Sequence, residues 1–240
     1  MRRGIVIVID ALGIGAAPDA EQYGDAGSHT LRSVCAAGTE RGAAGWPTLR
    51  RLGLGNCAAL TGPQVDGCPP AREPLASFAA MREKSRGKDT TTGHWELAGL
   101  IMEQGFHVFP SEFPAFPPEL VERFELDTGY QLIGNRAASG TRIIEDLGPT
   151  HQQEGGVICY TSADSVFQIA AHEGVVPLEE LYRCCLRARR ICDDYRIARV
   201  IARPFTGSPG CYTRTSGRRD YSIALPGPTM LDILTEHGVQ

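Results

Sequence analysis

At 240 residues the chain can hold one large domain or two small ones, and its 42% hydrophobic and 22% charged residues are ordinary for a globular protein. A formal net charge of −4, with no polybasic cluster, gives no electrostatic footprint for nucleic acid or for an anionic membrane surface. No apolar run approaches the roughly 20 residues needed to cross a bilayer.

The N-terminus, "MRRGIVIVIDALGIGAAPDA", has the arginines, apolar stretch and small-residue tail of a secretory signal. Asp10, however, places a costly charge inside the apolar part. Residues 4–10 read better as a buried β-branched strand with a carboxylate at its C-terminal end. The eight cysteines (35, 57, 68, 159, 184, 185, 192 and 211) show no C-x-x-C and no zinc-type spacing. Most lie in apolar settings such as "GVICYTSA", where reduced cysteine behaves as a small hydrophobe, so a cytoplasmic protein with free thiols is expected.

Further along, a Gly-rich loop leads to a helix expected from about Thr30. "WPTLRRLGLGN" predicts a helical turn with Pro47 near its start and glycine closing it. Residues 70–83 are ambiguous between strand and loop. "GKDTTTGHWE", 87–96, is too polar for a buried strand or an amphipathic helix and reads as a loop. "PPELVERFELDTG" and "GTRIIEDLGPTHQQEG" have helical spacing, the second as a short helix. "GVICYTSA" is a strand, "PLEELYRCCLRARRICDDY" an amphipathic helix and "ARVIARPF" a strand again. Alternating strands and helices with long loops imply an α/β fold without internal repeats. Breaks near 103–110 and 216–228 suggest an inserted domain, with the chain returning to the first one.

Four stretches carry candidate chemistry. Asp10, at the end of an apolar strand before a Gly-rich loop, suits a hard cation, and equally suits a turn-forming aspartate. "GIGAAP" matches neither dinucleotide nor Walker A patterns and reads as turn chemistry. In 87–96, threonine hydroxyls stand near Lys88, Asp89 and His94, which fits an activated nucleophile or a locally hydrogen-bonded surface loop. "YTSADSV" offers Ser162, Asp164 and Ser165 to a sugar or to a helix cap. Arg199, Arg203, Arg214, Arg218 and Arg219 are forks suited to phosphate, although a solvated surface is the usual fate of any one arginine.

Taken in order, "VIDALGIGAAPDAEQYGDAGSHT", "WPTLRRLGLGN", "GKDTTTGHWELAGL", "FPPELVERF", "LIGNRAASGTRIIEDLG", "YTSADSVFQIAAHE", "RVIARPFTG" and "TRTSGRRDY" resemble the bacterial manganese-dependent phosphopentomutases of the alkaline phosphatase superfamily. The resemblance runs along essentially all 240 residues. It implies an alkaline phosphatase-like core (1–105, with a return at 222–240) and an inserted α/β cap domain at 106–221. Thr90 would carry the phosphoryl group and touch the metal, and Asp10 would be a manganese ligand. Lys88, Asp89 and His94 would support them. Ser162, Asp164 and Val166 would face the ribose, while Arg199, Ile201 and Arg214 would lie near the sugar or its phosphate. The implied reaction interconverts ribose 1-phosphate and ribose 5-phosphate, and the deoxyribose pair. It would pass through a bisphosphate intermediate, with two Mn²⁺ and priming by glucose 1,6-bisphosphate or a similar sugar bisphosphate. The resemblance also implies a later segment bearing most metal ligands. Because the sequence ends at "LTEHGVQ", the 240-residue chain is expected to be inactive alone. Two other readings remain open: another metal-dependent phosphomutase or phosphohydrolase, or a non-catalytic sugar-phosphate-binding protein.

Overall fold

The computed structural model describes residues 3–9, 11–40, 45–162 and 164–239, in two compact units: 1–84 with 234–240, and 85–233. In the first unit, Thr30–Glu40 forms helix α1, Pro47–Leu52 helix α2 and Leu54–Thr61 helix α3. Pro47 opens α2, where its missing N–H costs nothing, and Gly53 ends it in the left-handed conformation. Leu31, Cys35, Ala58, Val65 and Cys68 form a small core, with Leu12, Ile14, Trp46 and Leu54 packed on it. Residues 70–83 adopt neither helix nor strand.

The expected strand at 4–10 is not formed over its described part, 4–9; Asp10 lies outside the described residues. Ile5 and Ile7 are each 82% exposed, and every named strand lies in the second unit. A β-branched run has the propensity for a strand, but propensity without a hydrogen-bonding neighbour does not make one.

The second unit is built on a mixed sheet, and the α/β expectation holds. Its strands are β1 (Leu132–Ala137), β2 (Val157–Thr161), β3 (Val166–His172), β4 (Arg199–Thr206), β5 (Thr213–Arg214) and β6 (Arg219–Ser222). The order is β1-β2-β3-β4, with β5 and β6 both pairing along the outer side of β4. β1 runs parallel to β2 and β3 parallel to β4, while β2 and β3 are antiparallel.

The helices of this unit are α4 (Thr90–Leu97), α5 (Pro118–Thr128), α6 (Gly140–Glu154) and α7 (Leu178–Asp194), and α8 (Met230–Glu236) begins at its last residues and continues past 233. α7 buries Leu181, Cys184, Cys185, Ala188, Ile191 and Cys192, a three-four spacing that gives one apolar stripe. That stripe and α5 cover Val157, Cys159, Phe167, Ile169, Val200 and Ala202 on one sheet face. Each such large side chain removed from water contributes about 1.5–3 kcal/mol. The cysteines in this core are free, and burial pushes the Cys184 and Cys192 thiols up to about 12, as expected for thiols acting as hydrophobes.

α6 covers part of the opposite face through Ile143 and Ile144, against Ile158, Tyr160, Ala170 and Phe205. At 15 residues it is longer than the short helix expected, and Pro149 does not end it. The sequence left β1 and β3 unassigned. "VFQIAAH" is buried along nearly its whole length and lacks the alternation that marks a half-exposed strand.

Candidate functional site

Residues 90–96, expected as loop, are helical; only 87–89 lie outside the helix. Asp89 is extended and caps α4: its Oδ1 accepts from the Thr92 N–H at 3.0 Å and its Oδ2 from the Thr92 hydroxyl at 2.8 Å. This two-pronged cap satisfies a backbone donor that the first turn would otherwise leave open, and it starts a helix where hydrophobic periodicity is silent. Trp95 anchors the helix on Phe106 and Ala198.

The cap also sorts the three threonines. Thr91 and Thr92 are buried, and the Thr92 hydroxyl is committed to Asp89. Thr90, the first helical residue, is exposed. The His94 Nδ1 stands 2.8 Å from the Thr90 carbonyl oxygen, so this imidazole braces the backbone rather than the hydroxyl. Lys88 is exposed beside the cap.

The remaining candidates gather on the α6 face of the sheet. Side chains alternate across a strand, so in β4 Val200 and Ala202 enter the α7 core while Arg199, Ile201 and Arg203 point the other way. Register then aligns Tyr160, Gln168, Ile201 and Asp220 across four strands. Val166 sits opposite Arg199, and both Val166 and Ile201 are buried. Ser162 and Asp164 follow the end of β2. The Ser162 hydroxyl donates to Asp164 Oδ1 at 2.8 Å, and Arg199 Nη2 reaches Asp164 Oδ2 at 3.4 Å. Arg199 Nη1 lies 3.5 Å from Asp220, which also holds Arg218 through two contacts of 2.8 Å. The Arg199 Nε is buried without a partner among the described residues.

Arg214 lies one step away, on β5. Its guanidinium and the Tyr160 hydroxyl converge on Gly140, the first residue of α6, where an added Cβ would collide with both. Tyr160 is 1% exposed, and its hydroxyl has no hydrogen-bond partner among the described residues. Burial raises its pKa, against the charges of Arg203, Arg214 and Arg218 and the close side-chain approach of Arg203, which falls short of a well-aligned hydrogen bond. Arg203 is held below its usual value by burial first, and then by its cationic neighbours Arg218 and Arg214. Arg219 is turned away and lies over the Tyr182 ring at 4.1 Å. A helix N-terminus, several guanidinium groups and an unpaired buried hydroxyl therefore share one place. That arrangement suits a bidentate oxyanion such as phosphate.

Of the residues singled out from sequence, the structure joins Ser162, Asp164 and Arg199 directly and puts Val166, Ile201 and Arg214 on the same sheet. Asp89, Thr90 and His94 form their own cluster at α4. Tyr160, Gly140 and Gln168 were missed, yet two signals were present. Tyr160 is two residues before Ser162 on a strand, hence on its face, and Gly140 directly follows the cap Ser139 of α6. Among the described residues, no three His, Cys, Asp or Glu side chains converge as a metal-ligand set. These residues alone do not supply a two-manganese site.

No family model matches the chain. Over 239 residues it is 51% identical to a phosphopentomutase of Kosmotoga olearia and 51% identical to one of Anaeromyxobacter sp. (strain K), in each case 99% of this chain. It is 50% identical over 241 residues to a phosphopentomutase of Caldanaerobacter subterraneus. The chain spans 59% of the length of the first two relatives and 58% of the third. Along its whole length, then, the chain is similar to phosphopentomutases, and it spans about three-fifths of theirs.

Proposed function

We propose that the α6 face of the sheet binds a pentose phosphate and that the whole protein is a phosphopentomutase. It would interconvert the 1- and 5-phosphates of ribose and of deoxyribose. The observation that carries the binding is the unpaired, buried Tyr160 hydroxyl meeting Arg214 over the first residue of α6. The phosphate accepts from Arg214, from Tyr160 and from the open N–H groups of the α6 first turn. Arg203 adds positive charge. Ser162 and Asp164, held by Arg199, lie on the same side and receive the sugar hydroxyls.

Thr90 is the phosphoryl carrier, since it alone of the three threonines has an exposed side chain. In the phosphorylated protein its phosphoryl group passes to the free hydroxyl of the sugar phosphate, giving a bisphosphate. The phosphoryl at the other end then returns to Thr90 Oγ, releasing the isomer. Residues 106–221 act as the cap, and 1–105 with 222–240 belong to an alkaline phosphatase-like core. Two Mn²⁺ ions, with Asp10 and Thr90 among their ligands, and a sugar bisphosphate such as glucose 1,6-bisphosphate for priming are part of the same proposal.

Backbone amide NMR of the 240-residue chain, titrated with ribose 5-phosphate, tests the binding. Saturable shifts at Gly140, Thr141 and Ser162, lost in Arg214→Ala, are expected. Shifts confined to other surfaces would contradict the site.

A further inference from the structure

Gln168 is 4% exposed, at the centre of the sheet face that carries Tyr160, Ile201 and Arg203, and the residue roles proposed above leave it unused. Its side chain makes two hydrogen bonds. Arg203 Nε donates to Gln168 Oε1 at 3.0 Å, and Gln168 Nε2 donates to the Ser162 hydroxyl oxygen at 3.2 Å. The chain then continues from the Ser162 hydroxyl to Asp164 Oδ1 at 2.8 Å.

Both ends of this relay are fixed by chemistry. A guanidinium can only donate, and an ionised carboxylate can only accept. The amide must therefore present its oxygen to Arg203 and its nitrogen to Ser162. The Ser162 proton is directed onto Asp164, and one serine lone pair takes the Gln168 proton. What remains on Ser162 is a single lone pair, an acceptor for a hydroxyl donor.

We infer that Gln168 is a positioning residue: with the Ser162 proton held on Asp164, Gln168 occupies one serine lone pair and so fixes the direction in which the other accepts from a hydroxyl of the bound sugar phosphate. This rests on the sugar-phosphate reading above. Gln168 touches no ligand; it acts through Ser162. Because the same relay begins at Arg203 beside the phosphate cradle, Gln168 also ties the position of the phosphate to that of the sugar hydroxyl.

The test compares two probes on the 240-residue chain by calorimetry, ribose 5-phosphate and inorganic phosphate. Both use the arginines, and only the first uses the Ser162 acceptor, so the ratio of their dissociation constants isolates the sugar contact. The wild type is expected to prefer the sugar phosphate by about tenfold, the size of one well-made hydrogen bond. Gln168→Met, close in volume but unable to bond, and Gln168→Glu, which still accepts from Arg203 but cannot donate to Ser162, should each bring the ratio close to one. Neither variant should lower it further in a Ser162→Ala background, where a merely structural role would still show. A variant that still binds inorganic phosphate is folded, and either variant alone decides the matter. A wild-type preference retained in Gln168→Met or Gln168→Glu overturns the inference while leaving the sugar-phosphate reading in place. Equal affinity of the wild type for both probes overturns both.

Discussion

Removing the Tyr160 hydroxyl should make the protein more stable and a poorer binder of phosphate. The ring packs in the α6 core with Ile143, Ile144 and Phe205, and Tyr160→Phe keeps all of that contact. What it removes is a buried hydroxyl with no partner among the described residues. Leaving such a group unsatisfied costs about 1–3 kcal/mol, so Tyr160→Phe should gain roughly 1–2 kcal/mol after allowing for the small void left behind. For a domain of this size that is a rise in Tm of roughly 2–8 °C. Phosphate affinity should move the other way. A hydrogen bond to a charged group contributes about 1.5–3 kcal/mol, so affinity should fall tenfold or more. Thermal unfolding by circular dichroism and titration with inorganic phosphate measure the two effects on one sample. A lower Tm would mean the hydroxyl is already satisfied in the free protein, and unchanged phosphate affinity would remove it from the cradle. Either result refutes the reasoning.

The threonines of α4 should separate by role. Thr92→Ala breaks the side-chain half of the Asp89 cap and should destabilise by about 1 kcal/mol in urea melts, whereas exposed Thr90→Ala should leave stability unchanged and, in the whole protein, abolish phosphoryl capture by mass spectrometry. His151 is fully buried, its Nδ1 donating to the Gly156 carbonyl and its Nε2 accepting from the His172 N–H at 2.8 Å, an arrangement only the neutral ring allows. Burial first, and His172 second, lower its pKa below the ordinary 6.5, so the unfolded chain binds the proton more readily. Its contribution is therefore fully present above about pH 6.5 and declines as the pH falls below that value, and urea midpoints at pH 7.5 and 5.5 should show the loss, reduced in His151→Gln. Ellman's reagent on the native protein should label exposed Cys211 quickly, while Cys184 and Cys192, raised to about 12, react only after denaturation.

The parts of the fold with periodic signatures were legible in the sequence. α7 showed its apolar stripe, α2 its Pro-and-Gly punctuation, and β2 and β4 their β-branched runs. β3 escaped because it is buried on both faces and carries Gln168 at its centre, which breaks an apolar run without creating alternation. α4 escaped because its signal is a cap, Asp89 reaching Thr92, rather than a stripe. The exposed run at 4–9 misled in the opposite direction: its composition fits a strand, but pairing is a tertiary property that no single segment encodes. At the site, hydroxyl and arginine residues were recognisable by type and by resemblance. The unpaired state of Tyr160 and the closeness of Gly140 to Arg214 depend on how β2, β5 and α6 meet, and no spacing along the chain reveals that.

The most direct measurement of the central claim is a crystal structure of the chain soaked with ribose 5-phosphate. The phosphate is expected over Gly140, within hydrogen-bond distance of Arg214 and the Tyr160 hydroxyl, with a ring hydroxyl on Ser162. A phosphate bound elsewhere, with the Tyr160 hydroxyl still unpaired at saturating ligand, would contradict it.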